Sequence, residues 1–281
     1  MEKRTITIDQ INTFAAYLRD EERETGTIEK YLRNIRAFTT WLGTRPVTKE
    51  AAAGWKEHLC ANDYQPGTIN SMLSALNKFF AFVCWPDCRV KYLKVQRQLF
   101  RSTERELSKA EYLRLLETAR QLGKGRLALL METICATGIR VSEVKYITVE
   151  AAQVGRADIA LKGKIRTVLI PGKLCRKLQK YAKKQKTVSG EIFLTRNGKG
   201  LSRRQIWAEM KGLCHKAGIA PSKVFPHNLR HLFARTFYHA CHDVAKLADV
   251  LGHSSIETTR IYLISTGTEH ARQLERLGLI S

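Results

Sequence analysis

The chain has 281 residues and a mass of 32.0 kDa, which predicts about two domains. Hydrophobic residues make up 44% and charged residues 26%, a composition that excludes a disordered chain and favours a globular one. The 48 basic residues outnumber the 26 acidic ones, and the formal charge of +22 indicates a polyanionic partner, most often nucleic acid. Of that charge, +16 falls in residues 151–250, where we expect the main phosphate-facing surface.

The first hundred residues read as four helices. A capping box at residues 7–10 begins the first, and Thr27 opens a second that ends at Gly43. Thr48 caps a short third helix, and Pro66 starts the fourth. Apolar residues recur at helical spacing in these segments, so we predict one small helical domain over residues 1–95.

The polar stretch over residues 96–106 is predicted to be an interdomain linker, which places a second domain at 107–281. A capping box at residues 108–111 opens that domain, and helices are predicted at 109–122 and 125–137.

A change to β-prone sequence follows. Residues 153–161 and 165–170 are short β-prone runs joined by Lys-Gly-Lys at 162–164, which predicts a hairpin. Helices are then predicted at 173–186, 202–217, 227–240 and 243–251, then one that is capped at 254–257 and carries Tyr262, and a last one capped at 266–269. The expected fold is mainly α with a small antiparallel β-sheet, in which the second domain is α+β.

Three local clusters contain residues suited to chemistry. In ATGIRVSE (136–143), Arg140 sits at a turn after a glycine, where an ordinary surface arginine is the alternative. In HNLRH (227–231), His227 and Arg230 share a helix face and would form a phosphate clamp, the alternative being a capping histidine with a solvated arginine. In LGHSSIETTRIY (251–262), His253 precedes Tyr262, which taken alone reads as an amphipathic helix residue.

Together these motifs resemble the tyrosine site-specific recombinase family, which includes Xer-like proteins and phage-type and transposon integrases. The resemblance spans nearly the whole chain and is strongest over residues 136–143 and 227–262. Over residues 1–95 it extends only to the size and helical character of a SAM-like, core-binding domain. It implies a catalytic domain at 107–281.

The resemblance also assigns roles to residues. It makes Tyr262 the nucleophile that forms a 3′-phosphotyrosyl link and releases a 5′-hydroxyl. Arg140 and Arg230 match the two arginines that grip the non-bridging phosphate oxygens. The remaining matches are His227 for assisting proton removal from the tyrosine, His253 for donation to a phosphate oxygen, Lys162 or its close rival Lys164 for protonating the leaving oxygen, and Glu143 for orienting its neighbours.

No cofactor and no metal are expected. The phosphotyrosyl link conserves the bond energy, so this chemistry requires no nucleotide. The five carboxylates of residues 151–250 form no clustered pair of the kind that two-metal nucleases need. The cysteines and histidines at 84–88 and 239–242 lack zinc-finger spacing.

The expected partner is double-stranded DNA with inverted core sites, bound as a homotetramer on two sites. The apolar residues of the last helix are expected to dock it into a neighbouring protomer, and folding back onto its own domain is the alternative. The DNA-binding candidates, for which a solvated surface is an equally good interpretation in the first three, are Arg33, Arg36, Lys78, Lys199, Arg203 and Arg204.

Two other functions compete: a type IB topoisomerase-like enzyme without partner exchange, and a non-catalytic DNA-binding protein on the same scaffold. The biological outcome (integration, excision, inversion or resolution) stays open. No stretch approaches the roughly 20 apolar residues of a membrane span, and the N-terminus lacks a signal-peptide core. With seven cysteines, we expect a cytoplasmic protein with reduced thiols and no membrane partner.

Overall fold

The computed structural model describes residues 4–95, 103–161, 164–262 and 275–276. The chain divides into two units, Met1–Arg97 and Gln98–Ser281. Both are helical in their described parts, and the second contains a two-stranded antiparallel sheet. The fold class predicted from the sequence is therefore confirmed. None of the helices in the described ranges combines the length and the apolar character needed to span a bilayer.

The N-terminal unit contains the four predicted helices. They are α1 (Ile8–Asp20), α2 (Thr25–Leu42), α3 (Lys49–Ala61) and α4 (Pro66–Phe82), followed by a 3-10 turn at Pro86–Cys88. The capping box forms as predicted between Thr7 and Gln10, and Thr48 caps α3. The second helix starts earlier than predicted, with Glu24 rather than a hydroxyl residue at its N-cap.

An aromatic cluster fills the core of this unit. The rings of Phe14, Phe38, Phe79 and Phe80 are fully buried. Phe14 meets Phe79 edge-to-face at 5.3 Å between ring centroids, and Phe38 meets Phe80 in the same way at 6.1 Å. Edge-to-face packing of this kind adds to the burial of apolar area, so α1, α2 and α4 share one interior.

The second unit supplies nine further helices within the described residues. They are α5 (Lys109–Gln121), α6 (Gly125–Thr137), α7 (Val149–Val154), α8 (Gly172–Lys184), α9 (Arg203–Lys211), α10 (Cys214–Ala217), α11 (Pro226–Cys241), α12 (Val244–Leu251) and α13 (Ile256–Arg260). Short 3-10 helices lie at Thr103–Arg105, Val141–Tyr146 and Pro221–Lys223. Strands β1 (Arg156–Leu161) and β2 (Lys164–Leu169) pair so that Ile159 faces Arg166 across the ladder.

Three sequence predictions differ from the structure in this unit. Residues 153 and 154 end α7 instead of starting a strand, because Thr148 caps a helix there. The helix predicted over 202–217 is divided into α9 and α10 at Gly212 and Leu213. Tyr262 lies in a turn just after α13 rather than inside a helix, and its N–H bonds to the carbonyl of Thr259.

The last residues of the predicted linker pack against α11. Asn228 donates to the carbonyl of Arg105 at 2.6 Å, and Arg235 donates to that of Leu107 at 2.8 Å. Leu107 is itself 1% exposed and belongs to the apolar core of the second unit. Residues 96–102 of the linker and most of the predicted terminal helix lie outside the described residues.

Candidate active site

Arg230 on α11 is the most deeply buried charge of the site, at 1% exposure. Its guanidinium donates to the carbonyl of Gly138, just after α6, and to that of Leu251 at 2.8 Å, at the end of α12. Helix C-termini leave carbonyls unpaired and carry partial negative charge. Two helix ends therefore stabilise the buried cation and fix its position.

The turn after α6 requires the glycine at position 138. Gly138 has a φ of +66°, and a Cβ there would lie 2.4 Å from the ring of Phe233. Any side chain would thus be strained and would push against α11. The glycine lets the carbonyl reach Arg230 and leads the chain directly to Arg140.

Arg140 is held by a carboxylate and stays half open to solvent, with its side chain 40% exposed. Its backbone N–H donates to Glu143 Oε2 at 2.7 Å, and its Nη1 donates to Oε1 at 3.0 Å. Burial raises the pKa of Glu143, but the hydrogen bonds from Arg140 and Arg166 outweigh this effect and leave the pKa below its usual value. Glu143 thus stays ionised and orients both arginines.

Arg166, on β2, is a site residue that the sequence analysis missed. Its Nη2 donates to Glu143 Oε2 at 2.6 Å, and its Nη1 donates to the carbonyl of Val250 at 2.9 Å. The available signal was its register in the strand. Arg166 is two residues before the buried Val168, so both side chains lie on the inward face of the strand. An arginine at such a position needs buried partners.

The ring of Tyr262 is 3% exposed and surrounded by imidazoles. Its centroid lies 4.5 Å from that of His231, 5.9 Å from that of His253 and 6.4 Å from that of His227. Burial and the nearby charge of Arg140 lower the pKa of Arg230, and an interaction with the Tyr262 hydroxyl partly offsets this effect. The phenol therefore lies close enough to the buried arginine to influence its charge.

His231 was assigned no role from the sequence, yet its ring is closer to Tyr262 than that of His227 is. The two histidines are four residues apart on α11 and meet edge-to-face at 4.5 Å. The spacing i, i+4 in HNLRH was the available signal, because such residues share one helix face.

His227 and His253 both have environments that favour the neutral imidazole. Desolvation and the charges of Arg230 and Arg140 lower the pKa of His227. The same causes lower the pKa of His253 to about 4. A neutral His227 can accept a proton near neutral pH, as the proposed proton acceptor must.

The protonation of His253 follows from its partners. Arg230 Nη2 lies 2.9 Å from His253 Nε2, and arginine can only donate, so Nε2 accepts. Nδ1 then carries the proton and donates to Thr259 Oγ1 at 2.8 Å. This differs from the phosphate-donor role expected from the resemblance, because Nε2 would need a proton and would have to release Arg230.

The other predicted residues fall into three groups. Lys162 lies outside the described residues, and Lys164 is placed by its backbone only, paired with Leu161 at the end of the hairpin. The five exposed candidates for DNA binding are Arg33, Arg36, Lys199, Arg203 and Arg204. Lys78 instead donates to Glu21 at 2.6 Å and to Tyr17 at 3.0 Å, so a DNA contact would compete with this ion pair.

The described part of the chain contains no group of three His, Cys, Asp or Glu side chains arranged to hold a metal ion. Cations and neutral imidazoles gather instead around Tyr262. Such an arrangement suits the stabilisation of negative charge on a phosphoryl group.

Two family models match the sequence: the phage integrase family over residues 105–268, and the phage integrase N-terminal SAM-like domain over residues 11–86. The chain belongs to the phage integrase family. A curated relative, tyrosine recombinase XerA of Pyrococcus furiosus, is 28% identical over 100% of this chain and 98% of its own length. The resemblance to tyrosine recombinases is thereby confirmed.

Solved structures in this family share the fold. The Tn1549 transposon integrase, in complex with transposon right end DNA, matches with a TM-score of 0.71 at 19% identity and covers 96% of this chain and 99% of that chain. A lambda integrase tetramer bound to a Holliday junction matches with a TM-score of 0.73 at 17% identity, covering 90% of this chain and 76% of that chain.

Proposed function

We propose that this member of the phage integrase family is a site-specific recombinase that cleaves and rejoins double-stranded DNA through a 3′-phosphotyrosyl intermediate at Tyr262. The observation that carries the proposal is the buried Tyr262 ring, packed among His227, His231 and His253 and next to Arg230, a cation held by the ends of α6 and α12. A nucleophile beside a fixed arginine is placed to attack the phosphate that the arginine binds.

The reaction balances without a further reactant. The phenol oxygen bonds to phosphorus while the bond from phosphorus to the 5′-oxygen breaks. His227 takes the phenolic proton, and Lys162 or Lys164 on the hairpin gives a proton to the leaving oxygen. Attack by a 5′-hydroxyl of another strand reverses these steps, so no cofactor or metal is required.

The two arginines divide the work on the phosphate. Arg140 is half-exposed and presents donors to an incoming non-bridging oxygen, while Glu143 fixes its orientation. Arg230 supplies charge from the buried side next to Tyr262. His253 accepts from Arg230 and thus holds the guanidinium in place.

Duplex DNA with inverted core sites is the proposed substrate, and four protomers on two sites are the proposed assembly. The basic surplus of residues 151–250 and the exposed Lys199, Arg203 and Arg204 support the DNA contact. The solved relatives include an integrase tetramer on a Holliday junction, which supports the assembly.

A pocket in the second unit is the proposed acceptor of a neighbouring protomer's terminal helix. It is lined by apolar groups of α5, α6 and α11, among them Tyr112, Cys135, Leu232 and Phe237. Apolar residues of the chain after position 270 match its character. Deleting residues 271–281 should leave attachment to single sites intact and prevent stable pairing of two sites, as measured by native gel electrophoresis; unchanged pairing would contradict the docking.

A suicide substrate tests the chemistry. A duplex core site nicked close to the cleavage position releases a short fragment after attack, so the covalent complex accumulates and is seen on a denaturing gel. We expect the wild type to attach to the 3′-phosphate and Tyr262→Phe to attach not at all while binding the duplex with similar affinity.

Tyr238→Phe is the matched control, because it removes a hydroxyl from a partly buried tyrosine of the same unit. Absence of attachment by the wild type would favour a non-catalytic DNA-binding protein. Attachment followed only by resealing of the same strand, with no product containing two partner sites, would favour the topoisomerase-like alternative.

A further inference from the structure

Arg166 joins three segments that meet at the site. It projects from strand β2, its Nη2 donates to Glu143 Oε2 at 2.6 Å, and its Nη1 donates to the carbonyl of Val250 at 2.9 Å. Glu143 holds Arg140, while Val250 lies in the last turn of α12, three residues before His253. One guanidinium thus connects the hairpin, the Arg140 turn and the His253 turn.

Two adjacent carbonyls at the end of α12 are each capped by an arginine. Arg166 binds the carbonyl of Val250, and Arg230 binds that of Leu251. Cations at a helix C-terminus interact favourably with its unpaired carbonyls. The orientation of His253 therefore depends on both arginines, and Arg230 also bonds to the His253 ring directly.

The glycine at position 252 makes room for Arg166. A Cβ there would lie 2.2 Å from Arg166 Cδ and 2.9 Å from its Nε, and the φ of Gly252 is +63°. The Arg166 side chain is only 13% exposed, so it could not move aside into solvent without losing both partners. The glycine of the sequence Leu-Gly-His thus leaves the space that an arginine from the hairpin occupies.

We propose that Arg166 is a positioning residue for strand cleavage, which fixes the Glu143–Arg140 turn and the His253 turn relative to the hairpin that carries Lys162 and Lys164. This inference rests on the proposed function. Arg166 acts through Glu143 and the α12 end rather than on the phosphate itself. A lysine in its place keeps the charge but lacks the planar fork that serves two acceptors at once.

The test compares Arg166→Gln and Arg166→Lys with Arg156→Gln, which removes an exposed arginine from the other strand of the same hairpin. Single-turnover attachment to the nicked substrate is measured at saturating DNA. We expect a loss of about 10–100-fold for Arg166→Gln, because misplacement by about an ångström has effects of this size. Arg166→Lys should be intermediate, and Arg156→Gln should match the wild type.

A second substrate separates the two routes by which Arg166 could act. Sulfur in place of the bridging 5′-oxygen gives a thiolate leaving group with a pKa near ~8.5, which leaves without a proton from lysine. We expect the Arg166→Gln defect to persist on this substrate, because Arg140 and His253 stay misplaced. Full rescue would overturn the proposal, since Arg166 would then serve only the hairpin lysine.

Gly252→Ala supplies a steric version of the test. Introduced into the wild type, it should slow attachment as strongly as Arg166→Gln does. Introduced into an Arg166→Ala variant, it should cause a much smaller further loss. Equal losses in both backgrounds would mean that the glycine does not act through Arg166, and would contradict the proposed packing of Arg166 against Gly252.

A readout that does not need activity distinguishes failure of this inference from failure of the proposed function. The positive charge of Arg166 is one of the causes that lower the pKa of His253. NMR titration of the His253 ring should show a higher pKa in Arg166→Gln and little change in Arg166→Lys or Arg156→Gln. An inactive wild type would refute the function alone, whereas attachment by Arg166→Gln within threefold of an active wild type, or an unshifted His253, would refute the inference.

Discussion

The two units of the chain bury different kinds of side chain. In the described residues of the N-terminal unit, the interior is apolar and aromatic, and its buried polar residues are the neutral Asn34 and Asn77. Among the residues that the structure describes in the second unit, two charged side chains are buried, Glu143 and Arg230, both at the candidate active site.

This difference separates stability from function. Burying a charge is costly unless it is paired and hydrogen-bonded, so an interior built for stability alone avoids it. In the second unit the charges are buried at the candidate site, where cations that are fixed before a phosphate binds would stabilise it most. We therefore expect core substitutions in the N-terminal unit to change stability, and site substitutions to change the chemistry.

The largest expected effect is on the aromatic core of the N-terminal unit. Phe38→Ala should lower its free energy of unfolding by about 3–5 kcal/mol, because a buried ring is replaced by a cavity. Phe38 lies 6.1 Å from Trp41 and 6.0 Å from Trp55 between ring centroids, so tryptophan fluorescence during urea denaturation reports the loss. Ile8→Ala, at a residue that is 77% exposed, should change it by less than about 0.5 kcal/mol.

Arg230→Lys gives the corresponding effect on the chemistry. An ammonium cannot reach the carbonyls of Gly138 and Leu251 and the ring of His253 together, so transition-state stabilisation should fall by about 2.7–4 kcal/mol. Single-turnover attachment at saturating DNA should slow by about 10²–10³-fold. The exposed Arg114→Lys is the control, and a loss below tenfold for Arg230→Lys would break the contrast between the units.

Two asparagines of α4 allow a smaller, internally matched test. Asn77 donates to and accepts from the backbone of Val90, both at 2.9 Å, and Asn70 makes the same pair of bonds to Leu93 at 3.0 and 2.8 Å. Asn77 is buried, whereas Asn70 is partly exposed. We expect Asn77→Ala to cost about 1–3 kcal/mol of unfolding free energy and Asn70→Ala about 0.5–1.5 kcal/mol, by urea denaturation. Equal costs would show that burial does not set the value of these bonds.

The smallest effect is the dependence of stability on pH at His253. Folded His253 stays neutral down to its pKa of about 4, while an unfolded histidine protonates near ~6.5. The unfolded state therefore binds more protons between these values, and acidification through this window destabilises the native state. His253→Gln should lose less unfolding free energy than the wild type between about pH 7 and about pH 5. The exposed His239→Gln should behave like the wild type.

Much of the local structure was predictable from the sequence. The capping boxes at Thr7 and Ser108 form as predicted, and α6 ends at Gly138 as its sequence indicates. These features depend on hydrogen bonds between residues three or four apart, which a single sequence displays directly. Errors arose where one helical turn competed with a β-prone run, as at residues 153 and 154.

The sequence analysis named the motif residues of the candidate site but not all of their contacts. The sequence pointed to Arg140, Glu143, His227, Arg230, His253 and Tyr262, which the second unit contains in linked positions. It did not reveal that His231 approaches the phenol ring more closely than His227, or that Arg166 binds Glu143. The helix spacing of His231 and the strand register of Arg166 indicate which face each residue shares, but not which residue it contacts.

By itself, the sequence determined most of the helices and several of their caps, which residue types the site contains, and that the chain has the motifs of a tyrosine recombinase. Only the tertiary structure decided that two helix ends stabilise the charge of Arg230, that His253 Nε2 accepts a hydrogen bond from Arg230, and that Gly252 leaves room for Arg166. The physical reason is distance along the chain. Caps and helix faces are set by neighbours, whereas these contacts join residues 21 to 92 positions apart and exist only once α6, α11, α12 and the hairpin have packed together.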